Sequence, residues 1–322
     1  FKKDYVMTIF INEEQVQEIL DVKSTVDILE ESMKSLSTGK GFNSPRKRLP
    51  TSYSGGNLHF MAASWPEKGI AGHKSYVVTK GKATFVVLLY STEGEGLLAV
   101  IEANMLGQIR TGAASGLASK YLANKNSKKL AIIGSGFQAE TQLEAINSQF
   151  DLDEIKVFSR SEEKRNKFVN KMGNKLNINI KAYDSSDEAT SNADIISLIT
   201  NSNVPVITNS QITNGMHINA AGGNSWLRSE ISSDSIGKFN FVSCDDVEQA
   251  KNECKELMDA TEKGIISWSN VNELSNVIDG KIKKNMNLVP LGGIRLSNLN
   301  KLNIVNPSIC ACNLILRSYI FF

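Results

Sequence analysis

Apolar positions follow two rhythms along the chain, and the change between them predicts the elements. Near the start, Val26, Leu29, Met33 and Leu36 recur at three- and four-residue spacing within DVKSTVDILEESMKSLSTGKG. That is one face of a helix closed by glycine, and residues 9–40 as a whole read as a strand followed by a helix. A loop is expected over 43–50, NSPRKRLP, where two prolines bracket three basic residues. Strand-like runs follow at 58–64, 69–79, 83–91 and 96–103, with Glu93 and Gly94 turning the chain between the last two, so a sheet of hairpins is predicted. Residues 104–123 then switch to helix. Gly112, Ala113, Ala114, Ser115, Gly116, Ala118 and Ser119 give that helix a face of very small side chains, on which another backbone can approach closely.

After the polar break NKNSKK at 124–129 the rhythm changes. Short buried runs at 130–133, 155–161, 193–200, 217–223 and 239–246 alternate with helical or loop stretches, the first helix over 140–150. Such alternation predicts a parallel, doubly wound sheet. The expected fold class is α/β, a Rossmann doubly wound sheet plus a second α+β domain. Domain bounds are expected at 7–124 and 125–299, with segment 300–322 completing the first.

Composition narrows the partners. Thirty-six basic and 34 acidic residues are well mixed, and no basic stripe interleaves with aromatics, so nucleic acid is not an expected partner. Cys244, Cys254, Cys310 and Cys312 form no CxxC pair or zinc pattern, and His59, His73 and His217 are scattered, so no metal site is predicted. Free thiols fit a reducing compartment. No apolar segment precedes a small-residue cleavage site, and the expected location is cytoplasmic. Residues 1–6 read as an upstream extension. The apolar tail 309–322 is interrupted by Asn313 and Arg317 and is too short to span a bilayer, so no membrane is expected.

The candidate chemistry begins at LAIIGSGFQAE, with Gly134, Gly136 and Ala139 at GxGxxA positions. The first glycine permits the tight turn, the second lets backbone approach a pyrophosphate, and the alanine permits close helix–strand packing. The motif follows an apolar strand, opens a helix and leads to a second strand about twenty residues on, the context a dinucleotide site requires. Ser135 and Gln138 within the turn, with Thr111 and Thr200, complete the expected cofactor contacts. At the end of the second strand, where an acidic residue receives the ribose of NAD, the chain carries Ser159, Arg160 and Ser161. A hydroxyl and a guanidinium suit a 2′-phosphate, so NADP(H) is favoured over NAD(H). A solvated surface arginine is the competing reading of Arg160.

The run IRTGAASGLASKYLA, closely followed by IIGSGFQA, resembles the ornithine cyclodeaminase/mu-crystallin family, which includes archaeal-type alanine dehydrogenases and ketimine reductases. SPR at 44–46, HFMAAS, GHKSYV, HINAAGGN and DDVEQAKNE resemble further elements of that family in the expected order, over about residues 7–280. The resemblance implies that Lys74, Arg46 and Arg110 line the substrate site, that the strand-rich half dimerises, and that the substrate is a small amino, imino or oxo acid. Two arginines suit a carboxylate, which a guanidinium fork grips in bidentate fashion. Arg110 is expected near a helix N-terminus, where the dipole favours an anion. Partial burial would lower the pKa of Lys74 and let it exchange a proton. A solvated edge lysine and salt-bridged packing arginines are the bland alternatives.

Two departures bear on activity. Cyclodeaminases of the family carry an aspartate where this chain has Asn224, and residues 285–322 do not match the family pattern. The expectation is therefore an NAD(P)-dependent oxidoreductase acting at the α-carbon of an amino or imino acid, as a homodimer. The alternatives are ornithine cyclodeaminase and a non-catalytic NADPH- or ligand-binding protein like mu-crystallin.

Overall fold

The computed structural model describes residues 7–52, 56–79, 82–282 and 303–306. The extension 1–6, the segments 283–302 and 307–322 and the thiols of Cys310 and Cys312 lie outside the described residues, and so do most of the unmatched 285–322 stretch and the apolar tail. Two compact units emerge among the described residues, one over 7–110 and the other over 111–306.

The first unit contains β1 (Ile9–Ile11), α1 (Glu13–Ile19), α2 (Val22–Ser37), β2 (Phe42–Asn43), β3 (Lys47–Ser52), β4 (Gly56–Trp65), β5 (Ile70–Thr79), β6 (Lys82–Ser91) and β7 (Leu97–Glu102). Strand order is β1-β7-β6-β5-β4-β2, with β3 also on β4. β4 to β7 are successive antiparallel neighbours, as hairpins require. The stripe Val26, Leu29 and Met33 of α2 is buried. Asp21 caps that helix by accepting from the Ser24 amide.

The region 43–50 is not only a loop. Arg48, Leu49 and Pro50 pair with β4 in antiparallel register. β3 lies on the outer side of β4, where an edge strand tolerates a proline that cannot donate.

Helix α3 (Asn104–Leu122) crosses the boundary between the units. Its first turn is capped from α1. The Glu13 carboxylate accepts from the amides of Asn104 at 2.7 Å and Met105 at 2.8 Å. Its second half belongs to the other unit because small residues let it touch backbone there. A Cβ on Gly112 would lie 2.2 Å from the carbonyl oxygen of Thr141, and one on Gly116 2.8 Å from that of Ala145. Asn219 Nδ2 also donates to Ser119 Oγ. These contacts put the boundary inside the helix, ahead of the polar break at 124–129.

The second unit runs β8 (Lys129–Ile133), α4 (Phe137–Asn147), β9 (Glu154–Phe158), α5 (Glu162–Leu176), β10 (Ile180–Ala182), α6 (Ser186–Thr190), β11 (Ile195–Leu198), β12 (His217–Ala220), α7 (Ser233–Ile236), β13 (Phe241–Cys244), α8 (Val247–Glu253), α9 (Lys255–Glu262), β14 (Val271–Glu273), α10 (Leu274–Ile278) and β15 (Asn303–Asn306). The order is β10-β9-β8-β11-β12-β15-β13-β14, and every pairing is parallel. The chain reverses its direction of strand addition between β8 and β11, the switch point of a doubly wound sheet, where strand ends open a binding crevice. Of segment 300–322, the described strand β15 pairs inside this sheet. Among the described residues, no helix is long and apolar enough to cross a membrane.

Candidate functional site

In the first unit the candidate lysine lies on one face of the sheet. Lys74 sits in β5 between β4 and β6, in register with Met61 and Val87, and Met61, Val87 and the neighbouring Ile101 are all buried. Lys74 itself is only 4% exposed and Arg110 5%. The Lys74 ammonium lies 4.6 Å from the Phe85 ring centroid and 5.7 Å from that of Tyr76. Gly107, one turn before Arg110, leaves room for it, since a Cβ there would stand 3.4 Å from Nζ. Burial, and then the positive charges of Arg110 and Arg46, push the Lys74 pKa well below the ordinary lysine value. The structure therefore brings Lys74, Arg46 and Arg110 into one electrostatic group.

The helix-dipole argument for Arg110 does not hold. Arg110 lies nearly two turns into α3, and the first-turn amides already face the Glu13 carboxylate.

Beside the lysine, His59 stacks on Tyr76 with centroids 4.4 Å apart and planes 1° from parallel, and Tyr76 in turn contacts Phe85 at 4.6 Å. Burial and the charges of Arg46 and Arg48 lower the His59 pKa to about 4. His59 is thus neutral near pH 7 and adds no further positive charge.

The glycine turn of the second unit joins β8 to α4. Gly134 has φ +120°, and a Cβ there would lie 2.3 Å from the Ile199 carbonyl oxygen, so only glycine fits. Gly136 is the N-cap of α4, and a Cβ there would meet nothing within 4 Å. Ala139 is fully buried against the sheet. The Gln138 Oε1 atom is buried and has no hydrogen-bond partner among the described residues. An open helix N-terminus and a waiting acceptor fit a dinucleotide, with its pyrophosphate on the amides and a hydroxyl for Gln138.

Ser135 Oγ lies 2.7 Å from Ser159 Oγ, which ties the turn to the end of β9. Ser161 caps α5 through the Lys164 amide, and Arg160 is exposed. Arg165 escapes sequence reasoning. It is buried, donates through Nη1 to the Ser159 carbonyl at 2.8 Å, and pairs with Asp184. Its signal was available, because Arg165, Phe168 and Met172 form the buried stripe of α5.

Thr111 is buried, and its carbonyl accepts from Gln142 Nε2, whose amide oxygen accepts from Ser197 of β11. Asn224 is exposed on the loop after β12, with Arg228 Nη1 3.5 Å from its Oδ1. Thr200 donates through its amide at 2.6 Å and its hydroxyl at 2.7 Å to Glu230 Oε1. Glu230 is fully buried and was not foreseen, nor was Glu256, which accepts from the Glu230 amide. Burial raises the Glu230 pKa to about 7 despite three donors that favour its anion, with the Glu256 charge adding to the rise.

Comparison with known proteins follows the same lines. The sequence pattern of the ornithine cyclodeaminase/mu-crystallin family matches residues 6–289. An alanine dehydrogenase from Archaeoglobus fulgidus is 33% identical over 282 residues, covering 85% of this chain and 84% of that protein. Among solved structures, Thermococcus litoralis Δ1-pyrroline-2-carboxylate reductase in complex with NADH and L-proline superposes with a TM-score of 0.85 at 25% identity, covering 95% of this chain and 94% of that one. An archaeal alanine dehydrogenase dimer with bound NAD gives a TM-score of 0.84 at 28% identity, covering 97% and 94%.

Proposed function

The chain belongs to the ornithine cyclodeaminase/mu-crystallin family, and from that premise we propose that it is an NAD(P)-dependent oxidoreductase acting at the α-carbon of an amino or imino acid. The observation that carries the reading is the buried Lys74 with two guanidinium charges bearing on it. Two guanidinium charges bearing on a buried lysine suit an anionic ligand, and a substrate carboxylate is one. Arg46 and Arg110 grip that carboxylate, each offering a planar fork of donors. Lys74 exchanges a proton at the substrate's α-nitrogen, its burial keeping a neutral amine accessible at lower pH than an exposed lysine allows. When bound, the dinucleotide supplies or accepts the hydride at the α-carbon.

Gly134, Ser135, Gly136, Gln138 and Ala139 would hold the dinucleotide's phosphates and adjoining ribose, with Thr111 and Thr200 nearby on the same unit. Ser159, exposed Arg160 and Ser161 favour NADP(H), because a cation and hydroxyls stand where an acidic residue would repel a 2′-phosphate. Asn224 argues against cyclodeamination, since an amide cannot pass a proton to a departing amine.

A homodimer is supported by the sheet face turned away from Lys74. Alternation puts Leu58, Phe60, Val77, Val86 and Leu88 there, half-buried or exposed, on a surface that suits a second copy. The related archaeal alanine dehydrogenase is a dimer. The buried thiols of Cys244 and Cys254 suit a reducing cytoplasm.

The test is direct. Purified protein is mixed with NADPH or NADH, ammonia and a panel of 2-oxo acids, and separately with cyclic imino acids and with ornithine plus NAD. Oxidation of the reduced dinucleotide with an oxo or imino acid is expected, with little proline formed from ornithine. Efficient ornithine-to-proline conversion would make the chain a cyclodeaminase, and tight NADPH binding without turnover on any substrate would make it a binding protein.

A further inference from the structure

We propose that Glu230 is a positioning residue for the dinucleotide, a carboxylate latch that fixes the chain leaving two neighbouring strands and opens when it takes up a proton. The inference rests on the dinucleotide reading above. β11 and β12 are adjacent parallel strands beside the switch point, and Thr200 and Gly222 stand just past their C-terminal ends. Glu230 reaches both. Its Oε1 accepts from the Thr200 amide and hydroxyl, and its Oε2 accepts from the Gly222 amide at 2.7 Å. Its own backbone extends the clamp, because the Val206 amide donates to the Glu230 carbonyl. Close packing leaves no slack. A Cβ on Gly222 would lie 2.1 Å from the Thr200 carbonyl oxygen and 2.6 Å from Glu230 Oε1.

Three donors converging on two oxygens define an anion's seat. A proton on either oxygen turns an acceptor into a donor facing an N–H, and one strand end is released. The groups that face Glu230 come from three elements. The segment after β11 contributes Thr200, the segment after β12 contributes Gly222, and α9 contributes Glu256, which holds the Glu230 amide and adds negative charge. Glu256 in turn has the Cys254 thiol 3.7 Å away. Burial raises Glu230 to about 7, so the latch changes state near neutral pH. Glu256 is raised too, chiefly by burial.

The experiment is a fluorescence titration of the full chain with NADH from pH 6 to 8.5. NADH is the probe because it lacks the 2′-phosphate, which itself titrates near about 6. The parent protein is expected to lose affinity on acidification through pH 7, by about 5-fold or more. Glu230→Gln, a permanent mimic of the protonated acid, should bind weakly with no such pH step. Thr200→Val removes one donor to the anion and should move the step to higher pH, a readout that simple loss of stability does not produce. A parent whose affinity is flat across this range, Glu230→Gln binding as tightly as the parent, or a pH step that persists in Glu230→Gln would each overturn the latch. Should Glu230→Gln fail to fold, the direction of the Thr200→Val shift decides. A parent that binds no dinucleotide at any pH would remove the dinucleotide reading, and this inference with it.

Discussion

The neighbourhoods of Lys74 and of Glu230, one in each unit, bury charges of opposite sign and treat them differently. In the first unit the buried groups are cations of like sign, Lys74 and Arg110, with half-buried Arg46 adding to the charge on the lysine. Past the ends of β11 and β12 in the second they are the carboxylates Glu230 and Glu256, held by backbone amides and a hydroxyl. Desolvation acts on both by disfavouring charge, pulling the lysine down and pushing the carboxylates up. The difference lies in who answers the charge. Amides fixed by the fold answer the carboxylates, which suits a group that shapes a binding site. Lys74 feels only further positive charge and a pair of aromatic faces among its recorded neighbours, which suits a group that meets an anion from outside.

The contrast breaks most sharply at Lys74. Lys74→Ala should lower kcat by about 10²- to 10⁴-fold, the scale of a lost acid–base group, while the dinucleotide Kd stays unchanged. Weakened dinucleotide binding in that variant would undo the division of labour. Next in size is Gly112→Val, which probes the scaffold alone. Its side chain meets the Thr141 backbone, and overpacking costs about 1–3 kcal/mol against only about 0.3 kcal/mol regained by replacing glycine with valine in a helix. Thermal denaturation should show a lower Tm, and an unchanged or higher Tm would mean that α3 and α4 part easily.

Arg160→Ala sharpens the second unit's part in cofactor choice. It should weaken NADPH relative to NADH by about 1–3 kcal/mol, measured as the ratio of their Kd values. An equal effect on both dinucleotides would make Arg160 a bystander.

The smallest effect is the pH dependence of stability. Glu230 ionises at about 7 in the folded chain and near 4.5 when unfolded. The native state therefore holds the extra proton between those values, and stability falls as pH rises from 4.5 through 7. For Lys74 the folded value lies below the ordinary 10.5, the unfolded chain holds the extra proton, and stability rises with pH up to 10.5. Tm-against-pH profiles should lose the first slope in Glu230→Gln and the second in Lys74→Met. Matching profiles in both variants would mean that neither buried group carries the linkage.

Much of this plan was legible in the sequence, for reasons visible in particular residues. Gly134, Gly136 and Ala139 announce a turn because steric need leaves few alternatives there. The glycines of α3 announce a close approach because a 19-residue helix gains nothing else from them. Lys74 was readable as a charge in an apolar strand. Edge strand β3 was hidden because its prolines and basic residues look like loop chemistry when its partner is unknown. Glu230, Glu256 and Glu13 were hidden for a different reason. They serve backbone amides between 8 and 92 residues away, and an amide has no letter in the sequence.

Strand β15 carries a consequence for how the molecule is made. It pairs with β12 on one side and β13 on the other, yet it follows both along the chain, with α8, α9, β14 and α10 between β13 and it. As the polypeptide emerges from the ribosome, β12 and β13 are complete while the strand between them has not been synthesised. Each must keep a row of backbone donors and acceptors open in the middle of the sheet, where neighbours cannot be shielded as a true edge can. Closure is then an insertion into a slot rather than an addition at a margin, and it waits until β15 has emerged. During that interval the nascent protein is most exposed to pairing with the wrong strand, its own or another's.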